Sequence, residues 1–145
     1  MHAKTITLWN YHEASGLWYP TTIPGVSIYT DNSYAASEHG NNANNSIWIS
    51  IPCSRNGRIL DVSGVEKLVL KPKTYAVCQS PSSCLSFSPG VDFILEEEAD
   101  GLEPVRDADY ESGFYDSMKA ANASIHLITS NAGFNLIPHY EIGCK

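Results

Sequence analysis

Short β-type segments separated by turn signals run along the whole chain, and they limit the fold more than any other feature. In residues 5–9 and 46–51, β-branched, apolar and aromatic residues alternate in the pattern of a half-buried strand. Only residues 110–121 have room for a helical turn or two. Many short strands with regular turns indicate an all-β sandwich or barrel. Further strand candidates are 65–70, 73–77, 91–95, 124–129 and 134–137, with breakers at Pro20, Pro24, Gly25, Asn56, Gly57, Pro72, Pro81, Pro89, Gly90 and Pro104.

A short internal repeat indicates two related halves. Residues 13–17 (EASGL) are matched by 98–102 (EADGL), and 43–47 (ANNSI) are matched in the same order by 121–125 (ANASI). One supersecondary unit used twice explains both matches, although coincidence among small residues is the alternative. In each half a strand leads to an acidic stretch and a glycine, and a polar loop then leads to another strand. This order is the outline of a four-stranded Greek key.

Composition describes one folded domain, residues 1–145, that carries a net charge of −7. No basic cluster is present to neutralise phosphates, so we expect no nucleic-acid partner. No apolar run is long enough to span a membrane. The five histidines are scattered, and neither an HExxH nor a GxSxG pattern occurs. We therefore expect no enzymatic activity.

The positions of the four cysteines predict two disulfide bonds. No paired CxxC or CxxH spacing of a zinc site exists. Three pairings are possible. The favoured one joins Cys78 and Cys84, which bracket a turn-rich loop of five residues, and leaves Cys53 to pair with Cys144. Two such bridges favour a secreted, extracellular protein, and the chain then starts as a mature form because its N-terminus has no signal-type apolar stretch. The alternative is four reduced thiols in a cytosolic protein.

The first hairpin and the region before residue 124 resemble the βγ-crystallins, including their microbial relatives. Trp9 and Gly16 match the first aromatic and the glycine of that family's hairpin motif, whereas alanine stands at the second aromatic position. Tyr110, with residues 114–116 and 121–124, is similar to the tyrosine-containing turn before the fourth strand of the second motif. The resemblance implies a Greek-key β-sandwich of two motifs. These are motif one at 4–51 and motif two at 91–129, with an insertion at 52–90 and an extension at 130–145.

The same resemblance implies calcium binding through an Asn-rich loop. Microbial family members hold calcium with a loop that works together with the first hairpin of the other motif, and amide, hydroxyl and carboxylate oxygens suit this ion. The reciprocal loop here has Lys119 and Ala120 in its leading positions, so we expect one calcium site rather than two. A bare surface loop beside a solvated hairpin is the alternative. The expected ligands are Asn41, Asn42, Asn44, Ser46, Glu96, Glu97 and Glu98.

Tryptophans in the first half support a different role. Trp18 and Trp48 lie in strand-like runs from which some aromatic rings can face outward and stack on sugars. The alternative is that both fill the core. A module that binds surface glycans or a cell wall, and a small secreted toxin or proteinase inhibitor with a protein target, therefore stay open beside the calcium-binding protein. Asn44 and Asn122 also begin N-glycosylation patterns. The oligomeric state is not readable from the sequence.

Overall fold

A computed structural model of the chain describes residues 3–30, 47–99, 103–122, 124–134 and 137–145. The described part is dominated by strands, so the all-β prediction is confirmed. Its helices are α1 (Pro72–Tyr75) and α2 (Phe114–Ala121), with 3₁₀ turns at Pro81–Ser83 and Asp107–Asp109. The strands are β1 (Lys4–His12), β2 (Leu17–Thr30), β3 (Ile47–Pro52), β4 (Ile59–Leu60), β5 (Glu66–Val69), β6 (Cys84–Leu85), β7 (Phe93–Leu95), β8 (Val105–Arg106), β9 (Ile125–Phe134) and β10 (His139–Cys144).

Six antiparallel strands close into a barrel in the order β1-β7-β9-β10-β3-β2. The pairing of β1 with β2 completes the ring, and β8 adds to the other side of β2. Strands β4, β5 and β6 form a separate three-stranded sheet. Closure pairs the main-chain groups that an open sheet leaves free at its edges. The Greek-key sandwich is not confirmed by this topology, because one sheet closes on itself.

The turn between β1 and β2 is the first copy of the internal repeat. Gly16 has φ +70°, a conformation that glycine adopts without a steric penalty, and its N–H donates to the carbonyl of His12 over 2.9 Å. The pairing of His12 with Leu17 then starts the hairpin register. In the second copy, β7 ends at Leu95, and residues 100–102 lie outside the described residues.

Two apolar cores lie on opposite faces of β1. Alternate side chains of a strand point to opposite faces, so Ile6 and Leu8 pack inside the barrel whereas Trp9 packs outside it. The inner core is mainly aliphatic and the outer core mainly aromatic. Helix α2 covers the outer core with Phe114, whose ring meets that of Trp9 edge-on at 4.7 Å between centroids. This cover explains why β1 is buried on both faces.

The predicted disulfides are absent, and all four cysteines are free thiols. The main-chain N–H of Cys53 bonds to Pro138 at one end of the β3–β10 pair, and Cys144 pairs with Ile47 at the other end. The six residue-to-residue steps from 138 to 144 span about 20 Å of strand, far beyond the reach of a disulfide.

Cys78 and Cys84 are likewise unlinked. Cys84 is fixed in β6 beside Leu68, and the 3₁₀ turn Pro81–Ser83 separates it from the segment that carries Cys78. Secretion therefore stays a prediction without the support of these bridges.

Residues 73–77, expected as a strand, instead form the end of α1 (73–75) and the turn that follows it. Pro72 occupies the first turn of this helix, where its fixed φ favours a helix start and its missing N–H is not needed. Among the described residues, no helix is long and apolar enough to cross a lipid bilayer.

Candidate functional site

A cavity of about 780 Å³ lies between the β1–β2 turn, helix α1 and the segment that leads into β7. We call it the Asp92 cavity. Its volume is in the range of small-molecule sites, and buried polar groups line it beside apolar ones. Its buried lining includes Tyr75, Ser86 and Asp92, and its more exposed lining includes Glu13, Lys73, Val77 and Val91.

Hydrogen bonds join the β1–β2 turn to α1 and so fix one wall of this cavity. The N–H of Ala14 donates to the carbonyl of Ala76 over 2.9 Å. The buried ring of His12 lies 2.8 Å from the carbonyl of Cys78 through Nε2 and 2.7 Å from Oγ of Ser15 through Nδ1. Because a carbonyl only accepts, Nε2 carries a hydrogen, and in the neutral ring Nδ1 then accepts from Ser15.

The carboxyl group of Asp92 is buried at the inner end of the cavity, with 1% of the residue exposed. Its Oδ1 accepts from the N–H of Tyr11 over 3.0 Å, and its Oδ2 accepts from Nδ2 of Asn10 over 2.8 Å and from the N–H of Ser88 over 2.9 Å. Burial raises the pKa of Asp92 to about 7, although these three donors act in the opposite direction. Asp92 therefore ties β1 to the segment before β7.

Two polar atoms next to Asp92 are buried without a hydrogen-bond partner among the described residues: Oδ1 of Asn10 and Oγ of Ser86. Nδ2 of Asn10 is engaged, because it also donates to the carbonyl of Ser86. Ser86 itself lines the cavity. A buried hydroxyl without a partner costs free energy, so such a group in a cavity wall is suited to a ligand.

Aromatic side chains flank these polar groups. Tyr75 is 2% exposed, and its hydroxyl donates to the carbonyl of Pro81 over 3.3 Å. Burial raises the pKa of Tyr75, and the negative charge of Asp92 adds a smaller effect in the same direction. Tyr75 thus stays neutral. Tyr11 is half-buried and lines the cavity, and its ring packs 5.1 Å from that of Trp18. The cavity therefore offers hydrogen-bonding groups beside rigidly held rings.

The residues predicted to bind calcium are not brought together in the described part of the chain. Asn41, Asn42, Asn44 and Ser46 lie outside the described residues. The Glu96 carboxylate contacts Nε2 of His126 at 2.5 Å and Nζ of Lys4 at 3.8 Å.

Glu97 and Glu98 are exposed beside a different cavity, next to the outer core. Among the described residues, no group of three histidine, cysteine or acidic side chains is arranged to hold a metal ion. Calcium binding stays a prediction.

The two tryptophans predicted to bind sugars have different surroundings. Trp18 is 5% exposed in the outer core, and its indole N–H donates to Oδ1 of Asp107 over 2.8 Å, so it offers no stacking surface. Trp48 is half-buried on β3, where it pairs with Tyr29 and Gly143. Neither tryptophan lines the Asp92 cavity.

The sequence interpretation missed Asp92 and Ser86. A signal for Asp92 was present, because this acid interrupts the apolar run 91–95 directly after the turn formed by Pro89 and Gly90. Ser86 carried no distinguishing signal. Its role depends on its burial beside Asn10, which is 76 residues away in sequence.

Comparison with known proteins places the chain in a family. Over residues 1–145 it matches a family described as a family of unknown function, DUF6751. The chain belongs to this family. No curated protein matches it, and no solved structure does. The Asp92 cavity is therefore the basis for assigning a function to this DUF6751 protein.

Proposed function

We propose that this DUF6751 protein is a non-enzymatic binding module whose Asp92 cavity holds a saccharide. The observation that carries the proposal is Ser86: the residue lines the cavity, and its buried hydroxyl has no partner among the described residues. A ligand hydroxyl that both donates and accepts would satisfy it.

The surroundings of Ser86 suit a sugar ring. Saccharides present apolar C–H faces as well as hydroxyls, and the half-buried ring of Tyr11 offers such a face a flat partner. Glu13 and Lys73 line the more exposed part of the cavity, where their charged groups are in reach of further hydroxyls. Trp18 supports this site indirectly, because its ring packs against Tyr11.

Binding is favoured over acid–base catalysis by the contacts of Asp92. A raised pKa near 7 is common in catalytic carboxyl groups. However, both oxygens of Asp92 already accept N–H groups, and the three donors come from segments that hold the cavity together. We therefore assign Asp92 to anchoring the site.

A glycan array followed by calorimetric titration of the best saccharide tests this function. Ser86→Ala should weaken binding about 2- to 10-fold, as expected for the loss of one neutral hydrogen bond. Ser117→Ala, an exposed serine on α2, should leave the affinity unchanged. The proposal fails if no saccharide binds, or if Ser86→Ala and Ser117→Ala bind equally well.

A further inference from the structure

A second, smaller cavity of about 170 Å³ lies where the three-stranded sheet packs on β2. We call it the Lys67 cavity. The N–H of Val62, just after β4, donates to the carbonyl of Thr22 over 2.9 Å and so joins the two parts. The cavity is lined by four residues that carry a hydroxyl group (Thr21, Thr22, Ser63 and Ser82), together with Asp61 and Lys67.

Lys67 is buried, with 8% of its surface exposed. Its ammonium group donates to Oγ1 of Thr21 over 3.0 Å, and among the described residues no carboxylate lies within 4.0 Å of it. An ammonium group has three N–H donors, so two have no protein partner in the described part of the chain. Buried lysines are rare unless they are paired, because burying a lone charge is costly.

Asp61 lines the same cavity, but its Oδ1 is used to hold the turn after β4. That atom accepts from the N–H of Ser63 and of Val65, each over 2.9 Å. Burial lowers the pKa of Lys67, and the negative charge of Asp61 partly offsets this effect. The protein thus places a partly compensated positive charge in the wall of a cavity lined by hydroxyl-bearing residues.

We infer that the Lys67 cavity binds a small organic carboxylate. The carboxylate oxygens would accept the two remaining N–H groups of Lys67, forming charge-assisted hydrogen bonds that are stronger than neutral ones. The hydroxyl of Thr21, which accepts from Lys67, can donate to the same group, as can those of Ser63 and Ser82, residues that also line the cavity. The small volume favours a ligand of a few heavy atoms. This site is separate from the Asp92 cavity and does not depend on the saccharide proposal.

Thermal unfolding with sodium acetate and sodium glycolate, each against sodium chloride at equal ionic strength, tests this site. Either carboxylate should raise the Tm of the wild-type protein saturably, by several °C at about 100 times its Kd. Lys67→Met keeps the length of the side chain without its charge and should abolish the rise. Lys119→Met, which removes an exposed lysine of α2, should keep it.

Sodium phosphate tests whether the Lys67 cavity binds phosphate rather than a carboxylate. A saturable rise with phosphate and none with acetate or glycolate would overturn the carboxylate assignment. An equal rise in Lys67→Met, or no saturable rise in the wild-type protein, would overturn the site itself. If Lys67→Met does not fold, amide NMR of the wild-type protein decides: saturable shifts at Thr21 and Lys67 support the site, and their absence contradicts it.

Discussion

Asp92 and Lys67 are both buried charged residues beside cavities, yet the protein treats them differently. Asp92 accepts three N–H groups, whereas Lys67 donates to one hydroxyl and keeps two donors without a described partner. A charge whose bonding capacity is used by the protein holds elements together. A charged group whose remaining hydrogen-bonding capacity has no protein partner is suited to binding a ligand. The number of internal partners, and not burial alone, separates an anchor from a recognition group.

The largest effect that tests this comparison is a dependence of stability on pH. Burial raises the pKa of Asp92 from 3.8 to about 7, so the folded state binds a proton more tightly than the unfolded state. This group's contribution is fully present below pH 3.8 and is lost as the pH rises towards 7. The free energy of unfolding should fall by a few kcal/mol, at most about 4, over this range.

Urea unfolding of the wild-type protein and of Asp92→Asn, measured from pH 4 to 8, checks this dependence. Asp92→Asn should lack the pH dependence that Asp92 causes, so the difference in the free energy of unfolding between the two proteins should change with pH. A constant difference would show that Asp92 keeps an ordinary pKa in the folded protein.

Removing the anchor should have the next largest effect. Asp92→Ala leaves the N–H groups of Tyr11 and Ser88 without an acceptor, and we expect a loss of about 3 kcal/mol at neutral pH. Denaturant unfolding measures this change. Glu103→Ala, an exposed acid, is the control and should change stability by less than about 0.5 kcal/mol. A similar small change for Asp92→Ala would mean that the three hydrogen bonds do not stabilise the fold.

Removing the charge of Lys67 should change the free energy of unfolding in the opposite direction. Without added ligand, Lys67→Met should raise the free energy of unfolding by about 1 to 2 kcal/mol, because it replaces a costly buried charge with an apolar chain of similar length. Lys119→Met should change it by less than about 0.5 kcal/mol. Destabilisation by Lys67→Met in urea would show that Lys67 is an anchor like Asp92.

Ser86→Ala should give the smallest change. The variant removes a buried hydroxyl without a described partner, so stability should stay the same or rise by up to about 1 kcal/mol. Calorimetric unfolding of the free protein measures this effect apart from any saccharide. A loss of more than about 1 kcal/mol would indicate an internal partner for the Ser86 hydroxyl.

The fold was more predictable than the site because it depends on local patterns. The alternation in residues 5–9 and the glycine at position 16 predict a strand and a turn, and both are present in the β1–β2 hairpin. The cavities depend on contacts between distant residues. Asn10 reaches Asp92 across 82 positions, and Lys67 reaches Thr21 across 46. No local pattern in the sequence encodes such a contact.

By itself, the sequence determined that this chain is rich in strands, because side-chain alternation, β-branching and turn glycines act within a few residues. It did not place every strand end: β2 runs from Leu17 to Thr30 through Pro20, Pro24 and Gly25, all expected as breakers from the sequence alone. Only the tertiary structure decided which face of β5 is buried. Alternation in residues 65–70 leaves a choice between a face with Lys67 and a face with Leu68, and hydrophobicity favours burying Leu68. The structure instead buries Lys67 and exposes 37% of Leu68. The register of β5 between β4 and β6, and the packing of this small sheet on β2, turn the charged side chain inward to Thr21.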